Sequence, residues 1–414
     1  MQLEGSIQLS GDKSISHRLL MYAAIAKGKS ILHNLSFCDD VLSTIEVLRA
    51  CNIKIDINNE RVEIHGGSLK MPSQKLNMGN SGTSARLILG LLVGQNISAQ
   101  IIGDKSLSNR PMFRVIKPML EAGATIKSNN GFLPIEIISG ITQPIVYNKK
   151  TKSAQVKSSL MFASLGNNFY SKIFYDMSTR NHSENFLRYM GNKINIDDHL
   201  EINSYLKLNP FEISIPGDFS NASFIIAAAL IIPKSNIKIK KILYNKSRNG
   251  FLDVLERMGA NIKIENIQSN YGEEHCDILV KYSPQLKNVI ISKNEIIRMI
   301  DEIPVLSIVG ALSSGELIID DAGDLRYKES DRIKAICVNL KNMGADIVEK
   351  ENGFILKGQN KLYDTTIIDF GDHRISMAFH VLKLYLNKSI IDYKSKLANI
   401  SFPQFNSILG ELIK

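Results

Sequence analysis

Four segments of this chain share one pattern: a Leu or Met, a short spacer, a Met-Gly or Ala-Gly step, then a strand-like run. They read MLEAGATIK from Met119, LRYMGNKI from Leu187, LERMGANIKI from Leu255 and LKNMGADIV from Leu340. VLRACNIKI from Val47 is a variant copy with Cys51 in the Gly position, and LGELI from Leu409 is expected to begin a truncated sixth. The steps from Cys51 through Gly123, Gly191 and Gly259 to Gly344 are 72, 68, 68 and 85 residues, and one sixth of the 414-residue chain is 69. A unit of that size repeated six times accounts for nearly the whole sequence. Each Gly sits where a helix needs a left-handed C-terminal cap, and the residues after it alternate or are β-branched as in a strand. Such units exceed the usual solenoid periods and hold more than one helix and strand each. Six α/β units in two compact lobes are therefore the expected architecture.

Composition narrows the function classes. Hydrophobic residues at 44% and charged residues at 22% suit a globular, enzyme-sized chain. The longest apolar run, FIIAAALII at Phe224–Ile232, is too short to span a bilayer and reads as a buried helix. The first residues carry neither a signal nor a transit pattern, and Cys38, Cys51, Cys276 and Cys337 lack the spacing of a disulfide framework or zinc site. A reducing cytoplasmic setting is expected. The net charge of +9 comes from dispersed lysines in a chain without Trp, which argues against a nucleic-acid face and suits small anionic substrates.

The chemistry gathers at helix starts. SGDKSISHRLL at Ser10–Leu20 reads as a loop and a helix beginning near Ser14, with Lys13 and Arg18 flanking an N-terminus whose N–H groups favour an anion. MGNSGTSARL from Met78 places Asn80, Gly82 and Thr83 at the turn into an apolar helix, with Arg86 one turn in. KSAQVKSSL from Lys152 begins with Ser153 and carries Gln155 and Lys157, while PGDFSNAS from Pro216 and FGDHRISMA from Phe370 repeat the Gly-Asp step of Gly11-Asp12. Each start taken singly is no more than a capped helix with surface cations; their recurrence points to several anionic groups bound at once.

Four further clusters stand between them. Arg110 precedes Pro111, and Arg180 and His182 precede a helical pattern; all three read as exposed. In LRYKESDRIKAI at Leu325–Ile336, Lys328 and Arg332 fall at i and i+4 on one helix face with Glu329 and Asp331 alongside, which equally describes a salt-bridged surface helix. Asp301 and Glu302 stand ahead of Pro304 and an apolar helix, where Asp301 suits an N-cap as well as it suits catalysis.

GDKSISHR, GNSGTSAR, NRPM, SAQVKS, TRNHSE, DEIPVL, KESDR, GDHRISMA and SFPQF follow one another from Leu9 to Phe405. In order and spacing they resemble the EPSP synthase family. The resemblance implies the enolpyruvyl transferase fold: an α/β, two-lobed inside-out barrel of six βαβαββ repeats, three per lobe. It implies a first lobe over 13–217, a second over 1–12 plus 218–414, and an active site in the cleft between them. It implies transfer of the enolpyruvyl group of phosphoenolpyruvate to the 5-hydroxyl of shikimate 3-phosphate by addition and elimination.

Carried onto matching positions, the resemblance assigns shikimate 3-phosphate to Lys13, Ser14, Arg18, Ser153, Gln155, Arg180, Asp301 and Lys328. It assigns phosphoenolpyruvate to Lys13, Asn80, Gly82, Arg110, Gln155, Arg332 and Arg374. Asp301, Glu329 and Lys13 are the implied catalytic set, Asp301 as base on the hydroxyl and Glu329 as acid to the methylene carbon. No metal and no cofactor is implied; the partners are the two small substrates, with no nucleic acid or membrane, and the chain is expected to act as a monomer. One branch of the family has a Lys where this chain has Ser401, and SAQVKS, TRNHSE and SFP resemble the second bacterial branch. Lys157 or a monovalent cation from solution is the alternative source of that charge. The family is the target of glyphosate, and Gly82 is expected to leave room for it. UDP-N-acetylglucosamine enolpyruvyl transferase is an alternative, against which Gly103–Pro111 lacks the Cys that enzyme uses. A non-catalytic paralogue and a basic nucleic-acid-binding repeat protein are the others.

Overall fold

The structure is a computed structural model that describes residues 1–196, 198–203, 208–359, 361–387 and 396–414. The chain opens with β1 (Glu4–Gln8), α1 (Lys13–Ile25), β2 (Gly28–His33), α2 (Asp39–Ala50), β3 (Lys54–Asn58) and β4 (Arg61–Gly66). Next come β5 (Leu76–Asn77), α3 (Gly82–Gly94), β6 (Ala99–Ile102), α4 (Lys105–Ser108), α5 (Phe113–Glu121), β7 (Thr125–Asn129) and β8 (Phe132–Ser139). A third round has β9 (Val146–Thr151), α6 (Ala154–Ala163), β10 (Tyr170–Tyr175), α7 (His182–Tyr189), β11 (Asn195–Ile196) and β12 (His199–Asn203). The fourth has β13 (Glu212–Ser214), α8 (Phe219–Ile231), β14 (Asn236–Leu243), α9 (Gly250–Arg257), β15 (Ile262–Asn270) and β16 (Glu273–Lys281). The fifth has β17 (Ile290–Ile291), α10 (Lys293–Met299), α11 (Ile303–Leu312), β18 (Glu316–Ile319), α12 (Arg332–Asn342), β19 (Ile347–Lys350) and β20 (Gly353–Lys357). It is followed by α13 (His373–Asn387) and α14 (Phe405–Leu412).

Five rounds thus spell the βαβαββ unit, and each yields a four-stranded sheet among the described residues. In the β5-β6-β8-β7 sheet the first two strands are parallel and the rest antiparallel, because a helical crossover joins the parallel pair while a tight turn joins the hairpin. Two sheets borrow their first strand from elsewhere in the chain. β2 pairs in parallel with β13, and β14 pairs in parallel with β1. This exchange goes with the division of the chain into two compact units. One comprises Met1–Leu9, Pro216–Asn270 and Glu274–Lys414; the other comprises Ser10–Ile215 with Tyr271–Glu273.

The Gly positions behave as the sequence pattern requires, with one change of register. Gly123, Gly191, Gly259 and Gly344 have φ between +79° and +93° directly after the helix-ending residues Ala122, Met190, Met258 and Met343. In the first copy Cys51 is that helix-ending residue, at φ −86°, and Asn52 takes the left-handed place at φ +67°. Asn visits this region more readily than other side-chain-bearing residues, so the first step is 71 residues, from Asn52 to Gly123. Gly410, expected to cap a truncated sixth copy, lies inside α14. Main-chain pairing of Gln2 with Lys414 closes the chain there instead.

Each unit buries its own core. In the Ser10–Ile215 unit Tyr22 packs on Phe162 and Phe186 with ring centroids 4.7 Å apart, joining α1, α6 and α7. In the other, all thirteen residues of α8 are buried, which bears out the reading of its apolar run. The four cysteines are free and buried.

Candidate active site

In the Ser10–Ile215 unit the cations stand at helix starts fixed by local capping. Asp12, rather than Ser14, is the N-cap of α1: its Oδ1 accepts from the Ile15 amide at 2.9 Å, so the helix begins at Lys13. Lys13 Nζ pairs with Asp40 Oδ2 at 2.7 Å. One turn further on, Arg18 is buried; it donates to the Ser14 carbonyl (2.8 Å), Ser183 Oγ (3.0 Å) and Ser158 Oγ (2.9 Å). Burial lowers the Arg18 pKa from its ordinary value, with Arg180 adding to the effect and Tyr22 and Glu184 opposing it. His17, fully buried beside Lys13 and Arg18, is held well below the usual imidazole range by desolvation first and by those two cations second. It shares a 2.8 Å hydrogen bond with Thr44 Oγ1, which in turn meets Ser84 Oγ at 2.7 Å. This neutral chain ties α1 to the first turn of α3.

Ser81, between the expected turn residues Asn80 and Gly82, caps α3 by accepting from the Ser84 amide, and Ser153, expected to begin its helix, caps α6 by accepting from Val156. Arg110 is 6% exposed, not open as expected, because its guanidinium is spent on neighbours: Asn80 O (3.2 Å), Asn80 Oδ1 (2.7 Å) and Ser106 Oγ (3.0 Å). Asn80 completes that arrangement by donating to Asp104 Oδ2 at 2.7 Å. Arg86 bridges the Gly82 carbonyl (3.1 Å), Gln155 Oε1 (3.0 Å) and the Pro111 carbonyl (3.2 Å), while Gln155 Nε2 donates to Thr83 Oγ1 at 3.0 Å. A Cβ on Gly82 would stand 2.7 Å from Arg86 Nη1 and 3.3 Å from Arg110 Nη1. His182 is buried too, with Nδ1 2.9 Å from Glu273 Oε1. Arg180 lies in the turn just before α7, with Arg18 close enough to feel its charge.

In the other unit, five residues assigned by resemblance, Asp301, Lys328, Glu329, Arg332 and Arg374, form one cluster about the buried Arg332 guanidinium and Asp301. Arg332, 1% exposed, donates Nε to Asp372 Oδ2 at 2.8 Å and Nη2 to Asp372 Oδ1 at 3.2 Å and Glu329 Oε2 at 2.5 Å. Its Nη1 lies 3.5 Å from Asp301 Oδ1, and Lys328 Nζ lies 3.4 Å from the same oxygen. Arg374 Nη1 donates to the Asp301 carbonyl at 3.2 Å. Burial opposes the Arg332 charge, but Asp372, Glu329 and Asp301 outweigh it and raise the pKa above the ordinary guanidinium value. Burial likewise works against an ionised Asp372, and Arg332 more than offsets it, leaving that carboxyl below its ordinary value.

The local structure differs from the expected i, i+4 helix face. Asp331 caps α12 by accepting from the Lys334 amide at 3.0 Å, so the helix starts at Arg332 and Lys328 precedes it in extended backbone. The two cations meet through Asp301 rather than through helical spacing. Asp301 does not cap α11 either. Glu302 occupies that position without a side-chain capping bond, and Glu302 is itself buried against Ser220 Oγ and, at 3.6 Å, Arg248 Nη2.

Sequence reading missed the acidic partners that aim these cations: Asp40, Asp104, Asp372 and Glu184. For Asp372 a signal existed, since the Gly-Asp step that marks caps Asp12 and Asp218 recurs at Gly371-Asp372. Lys157, one alternative for the charge absent at Ser401, is fully buried 2.5 Å from Glu184 Oε1. Ser401 is also buried, and its carbonyl accepts from Asn221 Nδ2 at 3.1 Å. Among the described residues no group of His, Cys, Asp and Glu could hold a metal ion, and no helix is long and apolar enough to cross a membrane.

The family profile described as EPSP synthase (3-phosphoshikimate 1-carboxyvinyltransferase) matches residues 1–409. A 3-phosphoshikimate 1-carboxyvinyltransferase of Persephonella marina is 39% identical over 421 aligned residues, covering 100% of this chain and 98% of the relative. One of Listeria welshimeri is 36% identical over 420, with the same coverage. Among solved structures, an EPSP synthase from Acinetobacter baumannii superposes with a TM-score of 0.85 at 33% identity, over 99% of this chain and 96% of that one. The enolpyruvyl transferase NikO of Streptomyces tendae shares the fold at 14% identity, with a TM-score of 0.76 over 99% of this chain and 95% of its own.

Proposed function

The chain belongs to the EPSP synthase family, and we propose that its two residue clusters divide that family's reaction between them. The reaction transfers the enolpyruvyl group of phosphoenolpyruvate to the 5-hydroxyl of shikimate 3-phosphate and releases phosphate. Both substrates carry a phosphate and a carboxylate, the groups for which helix N-termini and forked guanidinium donors are suited. Lys13, Ser14, Arg18, Ser153, Gln155 and Arg180 hold shikimate 3-phosphate in this reading, with Asp301 and Lys328. Lys13, Asn80, Gly82, Arg110, Gln155, Arg332 and Arg374 hold phosphoenolpyruvate.

The observation that carries the chemistry is the pair of carboxylates, Asp301 and Glu329, both on Arg332. Asp301, steadied by Lys328 and by Arg374 on its carbonyl, takes the proton of the 5-hydroxyl as the oxygen adds to the enol carbon. Glu329 gives its proton to the methylene carbon, which becomes a methyl group. The tetrahedral adduct then loses phosphate as a proton leaves that methyl group and restores the double bond. Lys13 balances charge on the departing phosphate. Asp301 and Glu329 need opposite protonation states at the start, and sharing one guanidinium lets a shift of proton on one be felt by the other.

Phosphate release from phosphoenolpyruvate tests the assignment. Release that requires shikimate 3-phosphate, and is not supported by UDP-N-acetylglucosamine, is the expected result; no release with shikimate 3-phosphate overturns it. The chain is proposed to work as a monomer in the cytoplasm, a setting that suits four unbridged cysteines. Sedimentation of the purified protein checks the monomer.

Gly82→Ala probes the phosphoenolpyruvate subsite. The added methyl group would press first on Arg86 and Arg110 rather than on empty space, shifting Arg110, which this reading assigns to phosphoenolpyruvate. The longer inhibitor has less freedom to follow. Its inhibition constant is expected to rise by about tenfold or more while the Michaelis constant for phosphoenolpyruvate rises about threefold. Equal rises in the two constants, measured in parent and variant, would show that Gly82 does not separate the ligands.

A further inference from the structure

Lys157 in α6 and Glu184 in α7 form an ion pair with exposures of 0% and 1%. Removing both charges from water costs more than their attraction reliably returns, and a well-packed apolar pair commonly holds two helices together as firmly. Burial is the dominant influence on Lys157 and lowers its pKa from the ordinary value despite Glu184. A pair so unfavourably placed is explained by what its directional bonds fix.

The directions of the Lys157 ammonium are all used. Lys157 Nζ meets Glu184 Oε1 at 2.5 Å, donates to Thr179 Oγ1 at 2.9 Å and faces the Tyr175 ring at 4.2 Å from its centroid. Thr179 Oγ1 donates onward to the Asp176 carbonyl at 2.7 Å, and Ser178 donates to Asp176 Oδ1 through its amide (2.9 Å) and hydroxyl (2.5 Å). The turn is therefore pinned from within, and Arg180 is the next residue. Beside the ion pair, Ser158 Oγ and Ser183 Oγ share a 2.9 Å hydrogen bond and both receive Arg18. Two rungs thus join α6 to α7, one carrying the Arg180 turn and the other carrying Arg18.

We infer that the Lys157–Glu184 pair is a positioning device for the phosphorylated acceptor: it sets Arg180 through Thr179, and Arg18 through the adjoining Ser158–Ser183 rung, at the separation the substrate requires. Neither member touches substrate. Lys157 is accordingly committed to this pair and does not supply the charge absent at Ser401. The inference rests on assigning Arg18 and Arg180 to shikimate 3-phosphate.

Calorimetric titration of shikimate 3-phosphate into three proteins tests it: the parent, Thr179→Val, and the double variant Lys157→Met with Glu184→Gln. The first variant removes the lysine's hold on the turn together with the Thr179 bond to the Asp176 carbonyl, and the second removes both charges so that neither is left buried alone while Thr179 keeps its own bond. Each is expected to weaken binding by about tenfold, with the thermal midpoint and the Michaelis constant for phosphoenolpyruvate near those of the parent. Should the double variant not fold, Thr179→Val decides. A dissociation constant unchanged in Thr179→Val overturns the inference, as does a parallel rise in the constant for phosphoenolpyruvate, which would mean general loosening. A parent that does not bind shikimate 3-phosphate overturns the substrate assignment itself.

Discussion

Replacing Asp301 by Asn is expected to lower turnover by about a hundredfold or more while the protein stays folded. The substitution keeps size and leaves an oxygen that Lys328 and Arg332 can still approach, as they approach Oδ1 at 3.4 and 3.5 Å. It removes the capacity to take a proton, together with the negative charge that Lys328 and Arg332 face. No helix depends on the side chain, because the N-cap of α11 is Glu302. Asn is in any case a good capping residue. Steady-state phosphate release compared with a thermal melt separates the two roles. Turnover close to the parent's would return Asp301 to a structural part and move the search for the base elsewhere.

Arg332→Met is the second large effect, and it falls on stability as well as on chemistry. Asp372 is fully buried and takes two bonds from Arg332; with the guanidinium gone, only Ser330 Oγ (3.1 Å) and the Arg374 amide (2.9 Å) remain among its recorded donors. Breaking a buried pair on one side costs about 3–5 kcal/mol. The sign of its pH dependence follows from the carboxyl. In the parent the Asp372 pKa is depressed, so its contribution is present above the unfolded value and is lost as pH falls through the folded one. In the variant, burial acts without its counterweight. The folded pKa moves above the unfolded one, and the carboxylate becomes a cost that grows as pH rises. Urea unfolding at about pH 7.5 and about pH 4.5 should therefore show parent and variant further apart at the higher pH. Equal separation at both would mean that Asp372 does not depend on Arg332.

What the sequence displayed and what it hid divide along physical lines. A left-handed helix end demands Gly or Asn, so the repeat was visible from residue type alone, and the slip at Cys51 arose where Asn52 filled the role. Side-chain caps are equally local, since Ser81 and Ser153 bond within three residues of themselves, and of the two the start at Ser153 was read from sequence. The exposure assigned to Arg110 and His182 was wrong because residues far along the chain help to cover them. Arg110 is covered through Asn80, thirty residues earlier, and His182 through Glu273, ninety-one residues later. Lys328 and Arg332 resembled a helical pair by spacing, yet Asp331 starts the helix between them and Asp301 is what they share. Spacing reports neighbours along one element; the charge pairs that aim these cations join different elements.

The exchange of first strands gives the chain a timetable. β1 leaves the ribosome well before its parallel partner β14: Gln8 must wait for Lys240, 232 residues later. At a synthesis rate of about 5–20 residues per second that is on the order of 10–50 s with an edge unpaired. EGSIQ tolerates the delay, since Ile7 is its single buried residue and a short polar strand offers little to a wrong partner. β13 faces no such delay, because β2 is already made when Glu212 arrives to pair with Ile31. Of the two sheets that exchange strands, the one that begins second is thus the first able to close.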